Sequence, residues 1–158
     1  MKKNEYDKYN SVKIHSQINE VMILTEVTQY FKNNSKSPME LSIGLPELTN
    51  CTITKFEMLL DQQKIVSIIL EKEKAEEKYS DVIASGNTGF ISYSNDNKTI
   101  VSLGNMPSHK EVELKSYYFG NLICNDLSYQ VTFPTIFPNF IIQPVNNDSS
   151  PVNYSYVK

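Results

Sequence analysis

The chain has no arginine and no tryptophan among its 158 residues, and only two cysteines, two histidines and five glycines. The missing arginine excludes most. Arginine supplies the bidentate grip on phosphate and guanine that nucleic-acid recognition relies on, so nucleic-acid binding and tight binding of anionic cofactors are disfavoured. All fifteen basic residues are lysine and the net charge is −3. Lys2, Lys3, Lys8 and Lys13 cluster near the start, while Lys72, Lys74 and Lys78 alternate with glutamates and read as a solvated face. No stretch approaches the roughly 18 apolar residues of a membrane span, and MKKNEYDKYN has no apolar run behind its lysines, as a secretory signal would. The expectation is a soluble, cytoplasmic chain in which Cys51 and Cys124 are free, mainly packed thiols. Five N-x-S/T triplets, beginning at Asn33, Asn50, Asn97, Asn147 and Asn153, are what an Asn- and Ser-rich composition produces.

What is present is alternation. With 40% hydrophobic residues the chain can bury one core. Val21, Ile23, Thr25, Val27 and Gln29 alternate within 12–31, broken near Asn19 and Glu20 as by a hairpin turn. Met39, Leu41, Ile43 and Leu45 alternate until Pro46. CTITKFEMLL shifts register between Ile53 and Phe56 as a bulge would, and KIVSIIL, GFISY, TIVSL, EVELKSYYF and LSYQVTF read as further strands. SNDNK, GNMPSHK and GNLICND separate the last of these. Turn signals about every ten residues indicate a mainly β, sandwich-like antiparallel domain.

One segment, EKEKAEEKYSDVIASG, breaks the rhythm. It predicts an amphipathic helix over about residues 72–85, with Ala75, Tyr79 and Val82 on one strip and Gly86 as a left-handed C-cap. Tyr79 and Val82 are expected to be core residues clamping the helix to a sheet, so that Tyr79→Ala costs roughly 3–5 kcal/mol.

Candidate chemistry is sparse. His15 and His109 lack the local context of a catalytic base, and Cys51, Cys124, His15 and His109 are scattered single residues rather than paired zinc ligands. Glu71, Glu73, Glu76, Glu77 and Asp81 are interleaved with lysine. Ser94–Lys98 lacks the glycine and closing glutamate of a calcium loop. Gly104-Asn105-Met106-Pro107 and Gly86-Asn87-Thr88-Gly89 have neither the spacing nor the following helix of a phosphate cradle. The reading is therefore not an enzyme, with no cofactor and no metal.

The helix EKEKAEEKYSDVIASG, close to the form E-K-x-x-A-x-x-x-Y-x-x-A-x-x-x-G with Val82 where Ala is commoner, the GNMP at Gly104–Pro107 and the EVELKSYY that follows resemble the vault protein inter-alpha-trypsin (VIT) domain family. IGLP at Ile43–Pro46, ITKFEM at Ile53–Met58 and TFPTIFPNF at Thr132–Phe140 resemble further family segments in the same order, with Asn139 and Phe140 where arginine and tyrosine are usual. The resemblance implies the structural motif Ala75, Tyr79, Val82, Gly86, Gly104, Asn105 and Pro107. It also implies a domain like those of inter-alpha-trypsin inhibitor heavy chains and a vault-associated poly(ADP-ribose) polymerase, with no catalysis of its own and usually ahead of a von Willebrand factor A domain. The expected layout is a flexible 1–11, a VIT domain at 12–140, and a linker at 141–158 in which VNYSYV begins a further strand. The expected function is a scaffold or protein-interaction module whose partner is a protein or an adjacent von Willebrand A domain, with candidate interface residues Phe137, Phe140, Tyr154 and Tyr156. A stand-alone ligand- or carbohydrate-binding β-sandwich module is the alternative.

Overall fold

Period-two burial organises the chain into strands that show one face to a core and one to solvent. The computed structural model describes residues 9–95, 98–125, 128–134 and 141–144. In order the elements are β1 (Tyr9–Asn19), β2 (Met22–Lys32), β3 (Met39–Gly44), β4 (Cys51–Leu60), β5 (Gln63–Val66), α1 (Lys72–Ala84), β6 (Gly89–Asn95), β7 (Lys98–Met106), β8 (Glu111–Asn121), β9 (Ile123–Asn125), β10 (Ser128–Gln130) and β11 (Ile141–Pro144). They form a five-stranded sheet ordered β1-β2-β8-β4-β5, a four-stranded sheet ordered β11-β3-β7-β6, and a β9–β10 ribbon. The pairings are antiparallel.

The two larger sheets share one core. Phe31, Phe56, Met58, Val112 and Leu114 from the first meet Leu41, Ile43, Val101, Leu103 and Met106 from the second. The chain is thus a mainly β, sandwich-like domain with one helix. On β2 the odd positions Ile23, Thr25, Val27, Gln29 and Phe31 are buried, whereas Val21 lies in the turn and is exposed. Gln29 carries a cost, because its Oε1 accepts no hydrogen bond among the described residues, and an orphaned buried acceptor costs about 1–3 kcal/mol. The hairpin turn at Glu20 uses a positive φ of 55°, and the register of β4 on β8 shifts between Ile53 and Lys55.

Several boundaries differ from expectation. KIVSIIL is a strand only to Val66. There the Ser67 hydroxyl accepts the Phe56 backbone N–H, 3.0 Å away, and Ile68, Ile69 and Leu70 run on exposed, Ile69 at 98%. Of the described residues of LSYQVTF only Ser128–Gln130 are strand, and they pair with Ile123–Asn125, inside the segment read as a separator. Tyr9 and Asn10 belong to β1. Ile141–Pro144, beyond the expected boundary at 140, is hydrogen-bonded to β3. Residues 145–158, with Tyr154 and Tyr156, and residues 135–140, with Phe137 and Phe140, lie outside the described residues.

The helix occupies its expected place but not its expected depth. None of its residues is buried; Ala75, Tyr79, Val82 and Ile83 are half-buried on one strip. The core assignment of Tyr79 and Val82 is therefore corrected. α1 lies on the outer face of the four-stranded sheet, where nothing described covers its other sides. It can lie close because glycines face it: a Cβ at Gly104 would stand 2.5 Å from Tyr79 Oη and 2.6 Å from Ile83 Cδ1, and one at Gly89 would stand 2.9 Å from Val82 Cγ1. Gly86, at φ 76°, ends the helix: its N–H donates to Ile83 O (2.9 Å) and that of Asn87 to Val82 O (3.1 Å), the paired bonds of a Schellman cap.

These contacts rank three substitutions in urea denaturation. Gly120→Ala drives a Cβ into the backbone carbonyl of Asn50 and to 2.7 Å from Cys51 Cα, so it should cost about 3 kcal/mol or more. Gly104→Ala meets the ends of movable side chains and should cost about 1–2 kcal/mol, and Gly86→Ala about 1 kcal/mol. A Gly104 variant less stable than the Gly120 variant would show that α1 is held more rigidly than the β3–β4 loop.

Candidate interaction surface

Ala75, Tyr79, Val82, Gly86, Gly104 and Asn105 of the sequence motif meet at one junction on the outer face of the four-stranded sheet. β7 carries an extra residue against β3, its register shifting between Met39 and Leu41, and Asn105 there takes a positive φ of 53°. The Asn105 Nδ2 donates to Ile83 O (2.8 Å) and Asn87 O (3.2 Å), and its own carbonyl accepts the Thr88 hydroxyl at 2.9 Å. Asn105 thereby gives Ile83 O a second donor beside the Gly86 N–H and gives Asn87 O a side-chain partner. Gly104 lets the helix approach and Asn105 ties it down, so the glycine–asparagine pair is one structural device.

Two further junctions close the sandwich. Asn33 is fully buried. Its Nδ2 reaches the carbonyls of Ser37, Met106 and Pro107 at 3.0, 2.9 and 3.0 Å, while its Oδ1 accepts the Ser35 N–H at 2.9 Å. Pro107 of the motif is thus an acceptor for Asn33, which the sequence reading took only as part of a chance N-x-S triplet. At the other end the buried Tyr118 hydroxyl donates to Pro46 O at 2.9 Å, and burial pushes its pKa up to about 12.

The outer face of the five-stranded sheet carries a closed charge network. Glu57 accepts Lys55 Nζ (2.8 Å), Lys64 Nζ (2.9 Å) and the Tyr117 hydroxyl (2.9 Å). Lys115 lies 3.2 Å from both Glu26 and Glu113, and Lys55 Nζ sits 4.4 Å over the Tyr117 ring. The Lys55 hydrogen bond, opposed by burial and joined by those of Lys64 and Tyr117, holds the Glu57 carboxyl down at about 2. Burial and then the Glu57 hydrogen bond push Tyr117 up to about 12. Burial works against the charge on Lys115, but its bonds to Glu26 and Glu113 hold its pKa above the ordinary lysine value. Three carboxylates here answer three ammoniums, which leaves the patch neutral.

Beyond that network the same face turns apolar toward the β1–β2 hairpin. Leu24 stands cross-strand from Phe119, the two are 53% and 43% exposed, and Met22 on the same face and Val21 in the turn are exposed as well; Ile18, also exposed, pairs with Ile23 and so stands on the opposite face. The Leu122 N–H donates to Val21 O at 2.8 Å, tying the end of β8 to the hairpin tip. On the opposite side of the end formed by the β3–β4 loop, the sheets part into a cleft of about 550 Å³ lined by Leu48, Ile53, Phe56, Ser92, Ser94 and Thr99, among others.

Comparison with known proteins matches residues 9–118 to the vault protein inter-alpha-trypsin domain. The chain belongs to the VIT domain family. It is similar to a von Willebrand factor A domain-containing protein of Dictyostelium discoideum, 31% identical over 146 residues, covering 88% of this chain and 16% of the relative. A second Dictyostelium protein of that description is 34% identical over 97 residues, covering 60% of this chain and 11% of the relative. Von Willebrand factor A domain-containing protein 5A of Rattus norvegicus is 25% identical over 115 residues, covering 71% of this chain and 14% of the relative. The chain thus spans about a sixth or less of the length of these relatives.

In this VIT domain the structural-motif residues Ala75, Tyr79, Val82, Gly86, Gly104, Asn105 and Pro107 fall on or beside the α1–β7 junction. The four candidate interface residues Phe137, Phe140, Tyr154 and Tyr156 lie outside the described residues. His15 is exposed on β1, His109 turns the β7–β8 connection at φ 59°, Cys51 borders the cleft and Cys124 is exposed on β9; both cysteines are free. The sequence reading missed Asn33 and the Glu57 network. For Glu57 a signal existed, since it falls between the inward Phe56 and Met58 and shares its outward face with Lys55.

The Glu57 pKa makes a pH prediction. A carboxyl held at about 2 in the fold against an ordinary value of 4.5 contributes stability that is complete above about pH 5 and lost as pH falls through 2. Glu57→Gln should lower stability at pH 7 and flatten the acid slope by at most about 1.4 kcal/mol per pH unit, the limit for one proton. Parallel stability–pH curves for wild type and variant, measured by urea midpoints, would remove Glu57 from the acid response.

Proposed function

We propose that this VIT domain is a non-catalytic scaffold that docks a von Willebrand factor A domain, whether of the same chain or of a partner protein. The observation that carries the reading is the exposed apolar end formed by Val21, Met22, Leu24 and Phe119. Exposed apolar groups gathered in one place, next to a charge network already neutral in itself, are what a protein interface uses at its centre. The relatives support the partner's identity, since they are described by a von Willebrand factor A domain and are much longer than this chain.

We also place the domain in the cytoplasm. Two free cysteines fit a reducing compartment. Asn33, inside one N-x-S triplet, spends both ends of its amide on buried hydrogen bonds, so a glycan there would undo the β2–β3 and β7–β8 junction.

The docking reading is checked by titrating the chain with the von Willebrand factor A domain of the 31%-identical Dictyostelium relative. Leu24→Glu and Phe119→Glu should each weaken binding at least about tenfold, roughly 1.4 kcal/mol, while Glu76→Ala on the exposed face of α1 leaves it unchanged. Binding indifferent to both apolar-end variants would move the interface elsewhere, and no binding at all would remove the proposed partner.

A further inference from the structure

We propose that the cleft between β4 and β6 is a binding site for a small, uncharged ring compound with one polar edge. Its cause is legible in β6. Pairing with β7 places Phe90, Ser92 and Ser94 across from Leu103, Val101 and Thr99, on the face that looks into the sandwich. Phe90 packs against the core. Ser92 and Ser94 are too short to continue it and stay exposed, and Thr99 turns a hydroxyl toward Ser94; larger apolar side chains would close this end of the sandwich.

The opposite wall keeps its apolar residues. Phe56 and Leu48 are buried, and Ile53 is half-buried beside them. β5 pairs with β4 only from Leu60 back to Glu57, and Ser67 closes that ladder at Phe56, so β5 does not wall in the stretch of β4 from Cys51 to Lys55. The sheets therefore part into about 550 Å³ of open space with an apolar wall on one side and a hydroxyl wall on the other. That volume falls within the roughly 300–1,000 Å³ of small-molecule sites.

The lining also selects ligand chemistry. Among the described residues Glu47 is the sole charged one on it, and Glu47 is exposed. An ion entering the cleft would lose hydration against Phe56, Leu48 and Ile53 with no buried counter-charge in return. A neutral ring can cover those three while a hydroxyl or carbonyl on its edge meets Ser92, Ser94 and Thr99, where Ser94 Oγ and Thr99 Oγ1 stand 3.2 Å apart. Its lining shares no residue with the apolar hairpin end, though Thr52 of the lining pairs with Phe119 there, so the two readings are tested by different residues.

Amide NMR of the whole chain, titrated with p-cresol as the probe, tests the site. Saturable shifts are expected at Ser92, Ser94, Thr99 and Ile53 in the millimolar range, with 4-hydroxybenzoate and tyramine binding at least about tenfold more weakly because each carries a charge. Ser92→Leu fills the cleft and should abolish the shifts; Ser94→Val, a smaller change at a more open position, should weaken them severalfold and guards against a misfolded first variant. Three results would each overturn the proposal: no saturation, equal binding by the charged analogues, or shifts confined to Leu24 and Phe119.

Discussion

Every crossing between the two sheets brings backbone polar groups to places where water cannot serve them, and this constraint governs where the non-repetitive residues of the domain must be. Asn33 answers it between β2 and β3 and between β7 and β8 at once, through carbonyls on both connections. Tyr118 answers it at the β3–β4 loop by donating to Pro46 O. Asn105 answers it where α1 ends and the chain re-enters the sheet as β6. Loss of Asn33 or Tyr118 would leave the buried carbonyls of Met106 or Pro46 without that donor, at about 1–3 kcal/mol for each group, whereas Ile83 O would keep the Gly86 N–H. The short segments IGLP, GNMP and the tyrosine pair of EVELKSYY take part in these closures.

The remaining surface follows from what those closures leave. α1 covers part of the outer face of the four-stranded sheet, its approach set by Gly104 and Gly89. The outer face of the five-stranded sheet is occupied at its middle by Glu57, Glu26, Glu113 and their lysines, whose mutual hydrogen bonds leave little unbalanced charge to attract a partner. Three regions stay uncovered among the described residues: the apolar end at Leu24 and Phe119, the cleft whose β6 wall is serine, and the exposed crossing at Ile68, Ile69 and Leu70. The first has the chemistry of a protein interface and the second that of a neutral ligand site. The two readings are separable because their residues do not overlap.

Much of the fold was legible along the chain because burial on one face imposes period two, and strand after strand obeys it. The reading failed where period and burial part company. KIVSIIL has the composition of a strand, yet Ser67 ends the ladder by taking the Phe56 N–H on its side chain, and the apolar Ile68, Ile69 and Leu70 then serve as a crossing to α1. The helix was placed correctly from Ala75, Tyr79, Val82 and Gly86. Its depth was not, because a periodic apolar strip shows which face is covered and not how much of it. Asn33 was illegible for another reason: a buried asparagine and a solvated one look alike until their carbonyl partners are known.

The residues by themselves determined the strand alternation, the helix and its glycine stop, the absence of an arginine-based grip on phosphate, and the order of motifs that marks the VIT family. All of these are local, set by side-chain type and spacing within a few turns or a single strand. Only the tertiary structure decided that Gly104 is glycine because Tyr79 and Ile83 lie against it, that Pro107 serves Asn33 across 74 residues of chain, and that Ser92 and Ser94 look into the sandwich opposite Phe56. Those are contacts between segments far apart in sequence, and their existence depends on which face of each strand meets the other sheet. Pairing register and sheet packing settle that jointly, and neither is written in any one stretch of the chain.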